Sequence, residues 1–136
     1  INSDGRVKIL DLGLAKRLDD PKHRNFKAGT PDYAPPELHD RGVPMNESSD
    51  VWSLGATLLY AFTGHVMEIY KPGRLTLSML YAYRGELVKA IQILDAKVAE
   101  FSESEGIMAQ ELSSFIKNCL VIDQGKRATI ESLLNS

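Results

Sequence analysis

The chain has one cysteine, Cys119, so it cannot form an internal disulfide. A reducing, cytoplasmic setting is the expectation that follows. No excess of either charge is present: 16 Lys and Arg stand against 18 Asp and Glu, for a formal net charge of -2. That balance argues against a nucleic-acid or anionic-membrane partner. No long apolar run occurs either. The strongest, residues 51–62, is too short to span a bilayer and carries Ser53 and Thr57, so a buried core helix is expected there rather than a membrane segment. His23, His39 and His65 lack metal-ligand spacing. The first residues are polar and turn-like, and no signal peptide, repeat or low-complexity tract is expected. Proline is sparse at six residues, yet Pro31, Pro35 and Pro36 fall within one short stretch, GTPDYAPPE at residues 29–37. Such a stretch fits neither a helix interior nor a central strand, and it reads as a fixed, extended surface segment.

The 136 residues suffice for one domain with a real core, and 43% hydrophobic and 25% charged residues are ordinary globular values. Asn2-Ser3-Asp4-Gly5 is a turn signal followed by the β-rich Val7-Lys8-Ile9-Leu10, which together predict the end of a hairpin. The first strand of that hairpin is expected mostly before Ile1. A domain seldom starts inside a hairpin, so a fragment of a larger domain is expected. Residues 14–34 lack periodicity and read as a long loop, which at this length is usually functional or disordered. Ser48, Ser49 and Asp50 signal a helix start, with a serine cap and a first-turn acid, and Gly64 is a suitable terminator. The predicted helix, about 50–63, is apolar around nearly its whole circumference and is expected to be central and buried. Leu77, Leu80, Tyr81, Val88, Ile91, Leu94, Val98 and Phe101 predict two helices broken near Gly85. Further helices are expected within about 109–135. One carries Cys119 on its apolar stripe, and after a turn at residues 123–126 a last one is capped by Thr129. The fold class expected is mainly α, with a short β-hairpin remnant at the N-terminus.

Asp11 follows the predicted strand directly, with Gly13 two residues on. A carboxylate on a strand end is rigidly based yet exposed, which suits a hard cation such as Mg²⁺, and Gly13 permits a sharp turn. Taken alone, Asp-x-Gly after a strand is more often just a turn.

The order of motifs adds to this. Asp11-Leu12-Gly13, then Gly29-Thr30-Pro31-Asp32-Tyr33-Ala34-Pro35-Pro36-Glu37, then Asp50-Val51-Trp52-Ser53-Leu54-Gly55, then Asp123-Gln124-Gly125-Lys126-Arg127-Ala128-Thr129 resemble the second half of a eukaryotic-type Ser/Thr protein kinase domain. The resemblance covers essentially residues 1–136, loosely over 65–108, and implies a partial kinase C-lobe. It implies an activation segment at 11–37, with Leu12 where the family usually has Phe and Pro35 where it usually has Ala. Asp11 is then the metal ligand. Gly13, Gly29, Thr30, Pro31 and Tyr33 belong to the activation segment and to the floor under the substrate residue that follows the phosphorylated one. Thr30 implies serine or threonine acceptors; read by itself it is a turn residue. Asp50, Trp52 and Gly55 carry the central-helix motif. Asp50 resembles a buried helix-start acid that accepts hydrogen bonds from the catalytic loop; as a sequence feature it is equally a simple first-turn acid. Glu37 and Arg127 resemble the pair that ties the activation segment to the last helices; without the resemblance they are two solvated charges.

A kinase also needs a Gly-rich loop, a strand lysine and a His-Arg-Asp loop with base and asparagine, and this chain contains none of them. No residue of the chain is therefore assigned as the catalytic base, which is expected upstream of Ile1 together with the other missing parts. ATP and Mg²⁺ are implied cofactors of a full-length parent. A protein substrate and the missing N-terminal lobe and catalytic loop of the same domain are the implied partners. The chain alone is expected to be inactive. Two classes remain: part of a Ser/Thr kinase, or a pseudokinase or truncated lobe that serves as a protein-binding scaffold. Retention of Asp11 and Thr30 favours the first, because a scaffold has no chemical need for either.

Overall fold

A computed structural model of the chain describes residues 5–6, 31–39, 45–69 and 79–135. Apart from Gly5 and Arg6, the predicted N-terminal hairpin lies outside these, as do the residues Asp11, Gly13, Gly29 and Thr30. Ile1, the residue upstream of which the catalytic base is expected, lies outside them too. The described part is helical and contains no strand. Two short 3-10 turns, Pro31–Tyr33 and Pro36–His39, precede α1 (Glu47–Thr63), α2 (Met79–Ala99), α3 (Glu103–Cys119) and α4 (Ile130–Leu134).

The proline-rich stretch is thus coiled tightly rather than extended as expected. Proline's fixed φ near -65° suits the first position of a 3-10 turn as well as it suits extended chain. Pro31 and Pro36 each open one of the two turns.

α1 begins earlier than predicted. Its cap is Asn46, whose Oδ1 accepts from the Ser48 amide at 2.9 Å, while Ser49 Oγ accepts from the Asn46 amide at 3.2 Å. The serines therefore sit inside a capping box that Asn46 opens. Gly64 ends the helix in the left-handed region at φ 77°, its amide donating to the Tyr60 carbonyl at 2.7 Å, as its lack of a Cβ allows.

The helix is not buried all round. Val51, Trp52, Gly55, Ala56 and Leu59 are buried, whereas Leu54 and Tyr60 are exposed, so among the described residues one face packs and the other does not.

α2 runs unbroken through Gly85. A lone glycine weakens a helix by roughly 1 kcal/mol relative to alanine and does not stop it. With no break, the helical phase also shifts. Tyr83, Glu86, Ala90 and Leu94 face inward, while Tyr81 and Val88 of the predicted stripe face solvent. α3 starts at Glu103, ahead of the predicted region. Thr129 caps α4 as expected, accepting from the Ser132 amide at 3.0 Å.

Trp52, Ala56, Leu59, Met67, Ile69, Tyr83, Ala90, Leu94, Ile116 and Leu120 form one core shared by α1, α2 and α3. Gly55 sets the distance between α1 and α3: a Cβ added there would lie 2.5 Å from Cys119 Cβ. Cys119 is buried in this contact, and burial pushes its thiol pKa up to about 11, so it is a core residue rather than a nucleophile.

Candidate functional site

The site is built where the turns at residues 31–39 meet the start of α1 and the segment between α3 and α4. At its centre Glu37 receives Arg127 through two parallel hydrogen bonds, Nη1 to Oε2 at 2.7 Å and Nη2 to Oε1 at 2.9 Å. The side chains are 0% and 3% exposed, for Arg127 and Glu37 respectively. Planar guanidinium against planar carboxylate is the geometry that makes such a pair strong and orientation-specific.

Burying a charge pair is favourable only when the remaining donors and acceptors are also satisfied. Here they are. Arg127 Nε donates to the Val121 carbonyl at 2.8 Å, Nη1 also to Ser48 O at 2.8 Å, and Nη2 also to Ile122 O at 3.3 Å. All five guanidinium N–H groups therefore have acceptors. The guanidinium carbon also lies 5.3 Å from the Trp52 ring centroid, a cation–π distance. On the other side, Ser49 Oγ donates to Glu37 Oε2 at 2.9 Å and Gln124 Nε2 donates to it at 3.4 Å. Burial alone would raise the Glu37 carboxyl, but hydrogen bonding and charge from Arg127 outweigh it. The net result lies below the ordinary carboxylate value.

The same turns are gripped a second time. Ser53 Oγ on α1 donates to the Tyr33 carbonyl at 2.9 Å. Tyr83 on α2 donates its hydroxyl to the Ala34 carbonyl at 2.7 Å. Tyr83 also meets Trp52 edge-on, with ring centroids 5.6 Å apart. Ala34 and Pro35 are buried, and Tyr33 packs partly against the core.

Of the residues singled out from sequence, Tyr33, Glu37, Trp52 and Arg127 come together around this junction, Pro31 opens the turn that leads into it, and Gly55 lies apart from it in the contact of α1 with Cys119 and Leu120. Asp50 does not join it. It lies at the surface on the first turn of α1, and partial desolvation raises its carboxyl above the ordinary value. Among the described residues no cluster of three or more His, Cys, Asp or Glu could hold a metal. Ser49, Ser53, Tyr83 and Gln124 are site residues that sequence reasoning misses. Ser49 is readable only as a cap, and Tyr83 falls outside the apolar stripe that the expected break near Gly85 implied. Ser49 in fact does both jobs, since the hydroxyl that accepts from the Asn46 amide also donates to Glu37.

The contacts of this arrangement are structural ones. They fix a short backbone segment, from several directions, on a rigid helical base.

Comparison with known proteins gives this base a context. A family model described as the protein kinase domain matches residues 1–136. Mitogen-activated protein kinase kinase kinase 20 of Arabidopsis thaliana is 34% identical over 140 aligned residues, covering 98% of this chain and 36% of that protein. Mitogen-activated protein kinase kinase kinase 17 of the same plant is 30% identical, covering 99% and 33%. The dual specificity mitogen-activated protein kinase kinase dSOR1 of Drosophila melanogaster is 29% identical, covering 99% and 36%. The chain thus spans about a third of the length of these curated relatives.

Proposed function

This chain belongs to the protein kinase family, and from that premise we propose that it is the substrate-receiving, helical part of a protein serine/threonine kinase. Such an enzyme moves the γ-phosphate of ATP to a Ser or Thr hydroxyl of a protein. The observation that carries the proposal is the junction itself. Glu37, at the end of the proline-rich segment, is locked by Arg127 to the helical body, and the Tyr33 and Ala34 carbonyls are held by α1 and α2.

In this reading Gly29, Thr30, Pro31 and Tyr33 form the floor under the residue that follows the acceptor. Positioning is the larger part of phosphoryl-transfer catalysis, and a floor that cannot shift keeps the acceptor hydroxyl in line. The Gly29-Thr30 pair supports serine or threonine acceptors. Asp11, after the predicted strand, is the residue of this chain that would hold Mg²⁺, which supplies neutralisation of the charge that builds up on the phosphates. Asp50, exposed at the start of α1, is proposed to accept hydrogen bonds from a catalytic loop contributed by the rest of the domain. The base and the nucleotide clamp have no counterpart in these residues and are proposed to belong to the part of the domain before Ile1, so the chain alone is proposed to be inactive. Among the described residues no helix is long and apolar enough to cross a membrane. A cytoplasmic location is proposed from the single buried cysteine.

The test uses the whole protein with labelled ATP, Mg²⁺ and matched peptides that differ only in a Ser, Thr or Tyr acceptor. Transfer to Ser and Thr peptides, and none to Tyr, is the expected result. Transfer to tyrosine alone overturns the acceptor assignment. No transfer to any peptide or to the protein itself favours the scaffold reading instead.

A further inference from the structure

We infer that Tyr83 and Ser53 are positioning residues for the protein substrate: from two different helices, their hydroxyls pin the carbonyls of Tyr33, the last floor residue, and of Ala34 directly after it, and so set the shape of the floor's end. The inference rests on the kinase reading above.

The geometry singles these two out. Tyr83 OH to Ala34 O is 2.7 Å and Ser53 Oγ to Tyr33 O is 2.9 Å. Rotation of a peptide plane is the way a short turn changes shape, and a carbonyl held by a fixed donor stops that rotation. Two neighbouring planes are held here, one from α1 and one from α2.

The Tyr83 hydroxyl is not required for the ring's packing. A phenylalanine at position 83 could make the same edge-on contact with Trp52, whose ring centroid is 5.6 Å from that of Tyr83. Residue 83 is 1% exposed, so its hydroxyl has been taken out of water in order to meet that carbonyl. Burial, and after it the negative charge of Glu37 and Asp32, raises the phenol's pKa and keeps it a protonated donor throughout the physiological range.

This clamp grips a different part of the segment from the Glu37–Arg127 pair, with Trp52 touching both Tyr83 and Arg127. The pair holds the end of the segment, and the clamp holds its middle. Loosening the clamp therefore leaves the segment attached while letting its surface shift against the bound substrate.

The experiment is steady-state kinetics on the whole protein, wild type against Tyr83→Phe, Ser53→Ala and Ser53→Thr, with unfolding midpoints measured alongside. Tyr83→Phe and Ser53→Ala should each raise KM for a Ser/Thr peptide about five-fold, as expected for one net hydrogen bond. KM for ATP should stay within about two-fold of wild type. Preference for the residue that follows the acceptor should flatten across a peptide array. Ser53→Thr, which keeps a hydroxyl, should restore the peptide KM. Lowered unfolding midpoints with both KM values and the array unchanged would mean that the hydroxyls are only structural, and the inference fails while the kinase reading stands. A wild-type protein that transfers no phosphate overturns both.

Discussion

Glu37 and Arg127 lie 90 residues apart in sequence and meet in a bidentate ion pair sealed from water. No local helix spacing brings them together; the closing of the whole helical body does. Removing one partner strands a buried charge, which costs about 3–5 kcal/mol, against about 0–1 kcal/mol for an exposed pair. Glu37→Gln and Arg127→Met are each expected in the larger range, and denaturant unfolding of a double-mutant cycle is the measurement. Coupling below about 0.5 kcal/mol would mean that the two act independently.

The pair also sets a pH dependence. The Glu37 carboxyl is held below its ordinary value of 4.5. A depressed carboxylate contributes stability that is fully present above its unfolded pKa and is lost as pH falls through the folded one. Stability of the wild type should therefore decline as pH drops below about 4.5, and Glu37→Gln should show a shallower decline over the same window. Asp50, whose carboxyl is raised, acts in the opposite sense, because its protonation relieves a desolvation cost. An Asp50→Asn background removes that contribution and isolates the slope due to Glu37. Equal slopes with Glu and Gln at position 37 would contradict the assignment.

The fold's outline is legible in the sequence, and its register is not. At the start of α1, Ser48 and Ser49 satisfy the same capping rule as Asn46 ahead of them, and only the structure shows which residue opens the capping box. In α2 the inward face contains Glu86 and Ala90, a charged and a small residue, so hydrophobic periodicity could not reveal it. Glu86 is buried with its carboxylate partnered, accepting from the Glu68 amide at 3.2 Å, 18 residues away, and from Lys89 Nζ at 3.5 Å. The Glu37–Arg127 contact is legible only through motif order, since each residue taken singly is an ordinary surface charge. Ser53 and Tyr83 leave no trace in the sequence because both donate to backbone carbonyls, and a backbone acceptor has no residue type.

Gly55 is expected to tolerate no side chain. A methyl there would sit 2.5 Å from Cys119 Cβ, and 3.1 Å from Leu120 Cγ. Gly55→Ala should destabilise the protein by about 1–3 kcal/mol through overpacking. Adding Cys119→Ala should give no relief, because the clash is with Cβ, whereas Cys119→Gly should restore part of the loss. Thermal unfolding of the variants is the check. A Gly55→Ala protein as stable as wild type would show that α1 and α3 separate freely.

Activation is not expected to need a phosphate on the loop. Residues 14–29 contain no Ser, Thr or Tyr, and they carry Lys16, Arg17, Lys22, Arg24 and Lys27 against Asp19 and Asp20. Acidic groups of the body or of a partner are the natural counterpart of that positive excess. Mass spectrometry of the active protein should find residues 14–29 unmodified. An obligatory phosphate on them would contradict the prediction.

Phosphate transfer by the whole protein, wild type against Asp11→Asn, tests the central claim most directly. The substitution removes one carboxylate charge while keeping side-chain size. If this chain is the substrate-receiving part of a protein kinase, the wild type labels a Ser/Thr peptide from ATP and Mg²⁺. The variant should fall to background while its unfolding midpoint stays near that of wild type. Near-normal turnover by Asp11→Asn would remove Asp11 from the metal site, and a wild type that transfers no phosphate would contradict the kinase account itself.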